Sequence, residues 1–196
     1  HYNLIILSSS FIDERKYKSW ILTKSVSMSK QSQMHDYKMC GVIGTGSSGS
    51  VSLVQNIYNS RYYGLKSISK NKTKIELILN ERRILKEVKG AKFIVNLHSC
   101  FQDPLNVYFL IDYAHKGDLF SCLKDLNCFP PNLTEFYIIQ IIEALKFLHN
   151  KDIVHRDIKL ENVLIDRDGY VLLADFGLSI HAVKDKINGL KGTPVY

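Results

Sequence analysis

Four polar residues in one short stretch of the chain have side chains suited to moving a phosphoryl group. Asp157, Lys159, Asn162 and Asp175 lie within residues 153–178, IVHRDIKLENVLIDRDGYVLLADFGL, on a loop between two strand-like runs. Phosphoryl transfer needs a carboxylate that orients the attacking hydroxyl, and oxygen ligands that hold magnesium against the phosphates. Asp157 can do the first, and Asn162 with Asp175 can do the second. A plain polar loop between buried strands does not account for the submotifs at their fixed spacing.

A glycine-rich turn in the first half of the chain is a candidate for binding phosphates, although the pattern alone is weak evidence. Gly44, Gly46, Gly49 and Val51 form the pattern GxGxxGxV within CGVIGTGSSGSVSLVQ. Glycines allow peptide N–H groups to approach phosphate oxygens, since no side chain stands between them. A dinucleotide-binding site needs such glycines to open a helix, whereas VSLVQNIY is β-branched and predicts a strand. We therefore expect two strands joined by a glycine turn.

The segments that follow predict three more strands and three helices. RYYGLKSIS reads as a strand that carries Lys66, and IVNLHSCF and NVYFLIDYA read as two more. KIELILNERRILKEV has apolar residues at helical spacing and carries Glu81. KGDLFSCL predicts a short helix with Asp118 as its N-terminal cap.

A long third helix is expected to carry the chain into the catalytic stretch. Asn132 and Glu135 form a capping-box-like start after two prolines. An apolar stripe then suggests the best-packed element of the chain. The stripe consists of Ile138, Ile141, Ile142, Leu145 and Leu148.

At this point the chain resembles the protein kinases. HRDIKLEN is similar to their catalytic loop and DFG to their metal-binding turn. The resemblance implies that Asp157 is the catalytic base and that Lys159 steadies the transferring phosphate. It also implies that Asn162 and Asp175 bind magnesium, and that Phe176 packs behind the helix that must be aligned for activity.

The resemblance extends to the first half of the chain. Lys66 looks like the strand lysine that pairs with the nucleotide phosphates, although a lone strand lysine is usually an edge charge. Glu81 looks like the glutamate that forms an ion pair with Lys66, because NERRIL carries the match, and Glu76 is the weaker alternative.

An ATP site is implied by the same resemblance. Asp112 and Ala114 would belong to the hinge whose backbone binds adenine. Ile111 would be the gatekeeper residue. Asp118 would contact the ribose as well as cap its helix. The implied ATP-binding residues are Gly44, Gly46, Gly49, Val51, Lys66, Asp112, Ala114, Asp118 and Leu164.

Within the serine/threonine kinases, the chain resembles the cyclic-nucleotide-dependent and related basophilic group, in GTGSSGSV, LNERRIL, RDIKLEN and GTPVY. Lys159 and Thr193 favour Ser or Thr substrates over Tyr. Glu161 and Thr193 are the implied substrate-binding residues. Glu161 matches an acidic position that binds substrate arginine, or is an ordinary surface charge. The implied partners are protein substrates with basic residues near the acceptor, together with a regulatory partner.

The chain departs from the group at four positions. Ser48 stands where the glycine turn usually carries an aromatic residue. Gly64 replaces an alanine under adenine, which removes a methyl group worth about 0.8 kcal/mol of apolar burial. Gly189 stands where a phosphorylatable threonine is usual, so Arg156 would lack its phosphate partner. Val195 replaces a glutamate.

Composition restricts the function classes. The net charge is +7, and between residues 66 and 92 nine Lys or Arg face three Glu. Such a run is more often a solvated helix face than a nucleic-acid site, so we expect no nucleic-acid partner. No apolar run is long enough to span a membrane. Four cysteines without paired spacing indicate a reducing intracellular setting rather than a disulfide framework. We therefore expect a cytoplasmic protein.

These patterns predict an α+β, two-lobed, kinase-like fold that binds ATP and Mg²⁺. A Ser-rich tail or linker would occupy residues 1–36 and an incomplete kinase domain residues 37–196. Its small antiparallel N-lobe, with one main helix, would span about 37–114, and a partial, mainly helical C-lobe about 115–196. Because the chain begins at His1 and ends at Tyr196, we expect a C-terminally truncated piece that is itself inactive.

Two other functions fit the same residues. The first is a pseudokinase or regulatory module that binds nucleotide without turnover. The second is a basic scaffold that recruits partners through its Ser-rich tail.

Overall fold

The computed structural model describes residues 34–46 and 49–182. The expectations for the tail up to residue 33, for Ser48, and for Gly189, Thr193 and Val195 lie outside these residues. The described part begins with a 3-10 turn, Met34–Asp36.

Five strands form one antiparallel sheet, as the strand patterns predict. They are β1 (Tyr37–Thr45), β2 (Gly49–Asn56), β3 (Tyr62–Ser69), β4 (Leu97–Gln102) and β5 (Asn106–Ile111). Their order in the sheet is β1-β2-β3-β5-β4. The predicted small antiparallel N-lobe is confirmed.

One helix, α1 (Ile75–Glu87), packs against this sheet. Its buried face carries the apolar residues Ile78, Ile84 and Leu85, which share a core with Phe109 of β5. Glu81 lies on the same buried face, 5% exposed. The helix therefore brings one carboxylate into the interior beside the sheet.

The second lobe contains α2 (Leu119–Leu126) and α3 (Pro131–His149), followed by short strands. The strands are β6 (Ile153–Val154), β7 (Val163–Ile165), β8 (Val171–Leu173) and β9 (Ile180–His181). β6 pairs with β9 and β7 pairs with β8, both antiparallel. These two pairs bracket the loops that carry the predicted catalytic residues.

The capping box predicted for α3 is wrong. The helix begins at Pro131 with Pro130 at the N-cap position. Proline suits the first helical position because its fixed φ is already helical and it has no N–H to leave unsatisfied. The helix therefore begins one residue before Asn132.

Helix α3 buries only part of its predicted apolar stripe: Leu148 is buried, and Ile141 and Leu145 pack against the core. Its buried residues are Gln140, Ala144 and Leu148, whereas Ile138 and Ile142 are exposed. Gln140 is buried because its Oε1 accepts the backbone N–H of Val171, at 2.8 Å. Hydrophobicity alone therefore missed Gln140 on the inner face of the helix, where a polar side chain with a backbone partner lies.

A second apolar cluster lies on the sheet and consists of Tyr37, Val54, Leu65 and Leu110. The ring of Tyr37 stacks on Phe101 with centroids 6.4 Å apart.

In the part of the chain that the structure describes, no helix is long and apolar enough to cross a bilayer.

Candidate active site

A cleft of about 550 Å³ lies between the glycine turn, β3, α1, the segment after β5 and the loops around residues 159–175. Its volume is in the range of small-molecule sites. Fourteen of the predicted site residues line it: Gly44, Gly46, Gly49, Val51, Lys66, Glu81, Asp112, Ala114, Asp118, Lys159, Glu161, Asn162, Leu164 and Asp175. The fold thus brings together residues that are more than one hundred positions apart.

Lys66 joins the two walls of the cleft. Its Nζ lies 2.6 Å from Glu81 Oε1 and 2.9 Å from Asp175 Oδ1. Burial disfavours the charge on Lys66, but the two carboxylates outweigh it and raise the pKa of the ammonium. Burial likewise opposes the charge on Asp175, and the nearby Lys66 lowers the pKa of that carboxyl. Both groups are therefore charged at neutral pH. Glu76, the weaker alternative partner, is exposed on α1.

Asp157 is 7% exposed and is not among the residues that line the cleft, but it contacts two that are, Lys159 and Asn162. Its Oδ2 is 3.0 Å from Lys159 Nζ. The Nδ2 of Asn162 donates to the same oxygen at 2.9 Å and to the backbone carbonyl of Asp157 at 2.8 Å. The carboxylate is therefore held in one orientation by a cation and an amide.

His155 braces this loop from behind. It is 2% exposed, its Nε2 donates to the carbonyl of Ala174 at 3.0 Å, and its Nδ1 accepts the N–H of Asp157 at 3.3 Å. Burial is the main reason that the pKa of His155 is lowered, which favours the neutral ring that both hydrogen bonds require. Its ring also packs edge-on against Phe176, with centroids 4.9 Å apart.

The glycines of the turn differ in the space around them. A Cβ on Gly49 would lie 1.8 Å from the carbonyl oxygen of Ser67, so only glycine fits there. A Cβ on Gly44 or Gly46 would meet no atom within 4 Å. Gly49 is therefore required by strand packing, whereas the backbone at Gly44 and Gly46 is open to a ligand.

Gly64 lies in β3 opposite Ile111 of β5. A Cβ at position 64 would lie 3.2 Å from Ile111 Cγ1 and 3.6 Å from Val51 Cγ1. The apolar burial expected to be lost with the methyl group at position 64 is thus partly replaced, because the Ile111 side chain occupies the space beside Gly64.

The segment after β5 is fixed by Asp112. Its Oδ2 accepts the N–H and the Nδ2–H of Asn96, both at 2.9 Å, and its Oδ1 accepts from His98 Nε2 at 2.6 Å. Burial disfavours the charge, but these hydrogen bonds lower the pKa of Asp112. The Asp112 side chain is thus used in bracing, which leaves the neighbouring backbone as the surface offered to a ligand.

Asp118 has the capping role that its position predicts. Its Oδ1 accepts the N–H of Ser121 at 2.8 Å at the start of α2. An isolated antiparallel bridge pairs Asp118 with Leu164, so both lie on the same floor of the cleft.

The oxygen atoms at Asn162 and Asp175 fit a magnesium ion. The hydrogen bonds of Asn162 use its Nδ2, which leaves the amide oxygen for a cation, and the Asp175 side chain is 48% exposed. No cluster of three or more His, Cys, Asp or Glu that could hold a metal alone occurs within residues 34–46 and 49–182. This donor set suits magnesium, which is commonly bound by one or two protein oxygens together with substrate phosphates.

Several bracing residues were missed by sequence reasoning. The HRD motif could have indicated His155, but Asn80, Asn96, His98 and Ser179 have no sequence signal, because their partners are distant in the chain or are backbone atoms.

Comparison with known proteins agrees with this geometry. Residues 37–196 match the protein kinase domain family. The chain is 37% identical over 167 residues to a cAMP-dependent protein kinase type 3 from Saccharomyces cerevisiae, covering 83% of this chain and 42% of the yeast protein. It is 39% identical over 167 residues to a cAMP-dependent protein kinase catalytic subunit from Schizosaccharomyces pombe, covering 83% of this chain and 32% of that protein.

An atypical protein kinase C from Drosophila melanogaster is 34% identical over 173 residues, which cover 85% of this chain and 28% of the fly protein. The chain therefore spans less than half the length of these relatives. The predicted resemblance to the cyclic-nucleotide-dependent group is confirmed, and the chain belongs to the protein kinase domain family.

Proposed function

We propose that this chain carries the ATP site and the catalytic loop of a serine/threonine protein kinase that phosphorylates proteins. The observation that carries the proposal is the position of Lys66, whose Nζ contacts both Glu81 and Asp175 in one cleft. A cation held between two carboxylates, at the edge of an open glycine turn, suits the binding of nucleotide phosphates.

The residues of the catalytic loop would divide the work of transfer. Asp157 would accept a hydrogen bond from the attacking hydroxyl, and Lys159 would place positive charge beside it. Asn162 and Asp175 would hold magnesium through their oxygen atoms. When bound, Mg²⁺ and ATP supply the γ-phosphoryl group and neutralise its charge. Since the protein's part is positioning and charge stabilisation, each of these residues contributes strongly to rate.

The nucleotide base would enter between Val51, Gly64 and Ile111 on one side and Leu164 on the other. Ala114 and the backbone of Asp112 would offer hydrogen bonds to its edge. The ribose would lie near Asp118, whose carboxylate lines the cleft while it caps α2.

The substrate preference rests on fewer residues. Glu161 lines the cleft and places a carboxylate where a basic side chain of a peptide can approach. Lys159 and Thr193 support Ser or Thr as acceptor, since both match the serine/threonine group. The proposal also includes a regulatory partner. It places the protein in the cytoplasm, because ATP and free thiols are typical of the cell interior.

The test is transfer of phosphate from ATP to a basic Ser peptide by the longest natural form of the protein, with Asp157→Asn in the same form as the matched control. This substitution keeps the size of the side chain but removes the carboxylate. We expect it to lower the transfer rate by at least about 10²-fold while Mg·ATP still raises the melting temperature. Peptides with Ala or Tyr in place of Ser should not be phosphorylated.

The same assay tests the alternative of nucleotide binding without turnover. If the longest natural form is stabilised by Mg·ATP, yet transfers no phosphate at more than the Asp157→Asn rate, that result would favour the alternative. A chain that Mg·ATP does not stabilise would contradict both functions.

A further inference from the structure

Ser179 is fully buried and is hydrogen-bonded to both lobes. The Nδ2 of Asn80, on α1, donates to its carbonyl oxygen at 2.6 Å. Its own Oγ donates to the carbonyl oxygen of His155, in the catalytic loop, at 3.1 Å. Its N–H donates to the carbonyl of Phe176, also at 3.1 Å. One small residue thus satisfies a donor on α1 and an acceptor on the catalytic loop.

Each end of this connection leads to the cleft. Asn80 precedes Glu81, which binds Lys66. His155 holds the N–H of Asp157 through its ring nitrogen. A displacement of Ser179 would therefore reach the ion pair on one side and the carboxylate of the catalytic loop on the other.

The side chain of Asn80 is itself oriented. Arg83 Nη2 donates to Asn80 Oδ1 at 2.7 Å, so the amide oxygen faces Arg83 and the Nδ2 faces Ser179. The site for Ser179 is closely packed, because its exposed fraction is 0%. An alanine there would keep the packing and leave the carbonyl of His155 without its Ser179 donor.

We propose that Ser179 is a positioning residue that couples the placement of α1 to that of the catalytic loop, through the series Asn80, Ser179, His155. Its consequence for catalysis rests on the proposed function. The coupling itself is a property of the folded chain and can be measured without nucleotide.

The test is native-state hydrogen exchange of the Asp157 amide by NMR, on the full chain. Ser179→Ala removes only the Oγ, and Asn80→Ala removes the donor to the Ser179 carbonyl. Loss of one buried hydrogen bond in the series is expected to speed exchange of this amide about tenfold in each variant. Because the two links act in series, the double variant should also show about a tenfold effect.

Two further variants keep the test specific. Ser52, buried in β2, offers a matched control, and Ser52→Ala should leave the Asp157 amide unchanged. Asn80→Asp repeats the loss of the donor with little change of shape, should Asn80→Ala fold poorly. Thermal melts before each measurement establish that the variant is folded.

The proposal is overturned by any of three results: multiplied effects of about a hundredfold in the double variant, an unchanged Asp157 amide in both Asn80 variants, or an equal effect in Ser52→Ala. Since exchange is recorded without ATP, failure of the longest natural form to transfer phosphate would contradict the proposed function but leave this test intact.

Discussion

The two walls of the cleft are built on different physical principles. The sheet wall, comprising the glycine turn, β2 and β3, places its residues by strand register: Val51 lies opposite Lys66, and Gly64 lies opposite Ile111. The loop wall, comprising residues 155–162 and 174–179, contains Arg156 and Asp175 at positive φ, 67° and 62°. Such conformations cost about 1 to 3 kcal/mol each and persist only where neighbouring structure holds them.

That difference shows which contacts matter in each wall. The sheet wall needs only backbone pairing and room for glycine, because register then fixes every side chain. The loop wall needs individual braces: His155 holds Ala174 and Asp157, and Arg156 Nε donates to the carbonyl of Leu178 at 2.7 Å. We therefore expect backbone crowding to damage the first and loss of single hydrogen bonds to damage the second.

The contact between the walls should be the most sensitive point. Lys66→Met is expected to abolish the stabilisation by Mg·ATP in a thermal-shift assay, and Asp175→Ala should do the same. Lys66→Met should also lower the free energy of unfolding by about 3 kcal/mol, because Glu81, whose side chain is 6% exposed, stays buried without its cation.

The double variant Lys66→Met, Glu81→Gln separates these two effects. It should recover most of the lost stability, since the buried Glu81 charge is gone and Asp175, whose side chain is 48% exposed, can be hydrated, yet it should still not respond to Mg·ATP. A Lys66→Met protein that retains the full ATP response would show that the cation lies outside the nucleotide site.

In the sheet wall, Gly49→Ala is expected to lower the free energy of unfolding by about 2 kcal/mol, because its Cβ would lie 1.8 Å from the Ser67 carbonyl oxygen. Gly44→Ala is the matched control, since a Cβ there meets nothing within 4 Å. Urea denaturation of both variants is the measurement. Equal losses in the two would contradict the assignment of Gly49 to strand packing.

The loop wall should be sensitive to acid through His155. Burial lowers the pKa of His155 in the folded chain, so the unfolded chain, with a histidine pKa of about 6.5, binds the proton first. This contribution to stability is complete above that pH and is lost as the pH falls, by up to about 1.4 kcal/mol per pH unit.

Urea denaturation at pH 7.5 and 5.5 measures this dependence. We expect the wild type to lose about 1 kcal/mol more than His155→Gln over this interval. The Gln variant keeps a donor for the Ala174 carbonyl but cannot be protonated. The same pH dependence in both proteins would mean that another group is responsible.

The smallest effect is expected where α1 meets β9. His181, 2% exposed, lies with its Nε2 3.0 Å from Glu87 Oε2. Glu87→Gln keeps an acceptor but removes the charge, so the melting temperature should fall slightly, for a loss of about 0.5 kcal/mol. Glu143→Gln, in the exposed pair with Lys146 at 3.7 Å, should have no measurable effect. A larger loss at Glu143 than at Glu87 would contradict this ranking.

The sequence alone was enough to predict the antiparallel sheet, the main helix and the residues gathered in the cleft. Spacing carried this information: strands alternate, helices repeat, and GxGxxGxV, HRDIKLEN and DFG keep their chemistry within a few residues. The pairing of Lys66 with Glu81 was implied by the resemblance to the protein kinases, which rests on NERRIL for Glu81 and on the distance from the glycine turn for Lys66.

The packing of α3 could not be predicted in this way. The apolar stripe identified Ile141, Leu145 and Leu148 but also included the exposed Ile138 and Ile142. It missed Gln140, which is buried because its Oε1 accepts the N–H of Val171. Hydrophobic periodicity takes no account of a backbone group 31 residues away.

The bracing of the loop wall was likewise decided by tertiary structure alone. Ser179 and Asn80 are 99 positions apart, and their hydrogen bond ends on a backbone carbonyl, which every residue has and no motif can mark. Residues that carry chemistry were visible by their type and spacing, whereas residues that hold them in place acquire their role only when folding brings a distant donor to an acceptor.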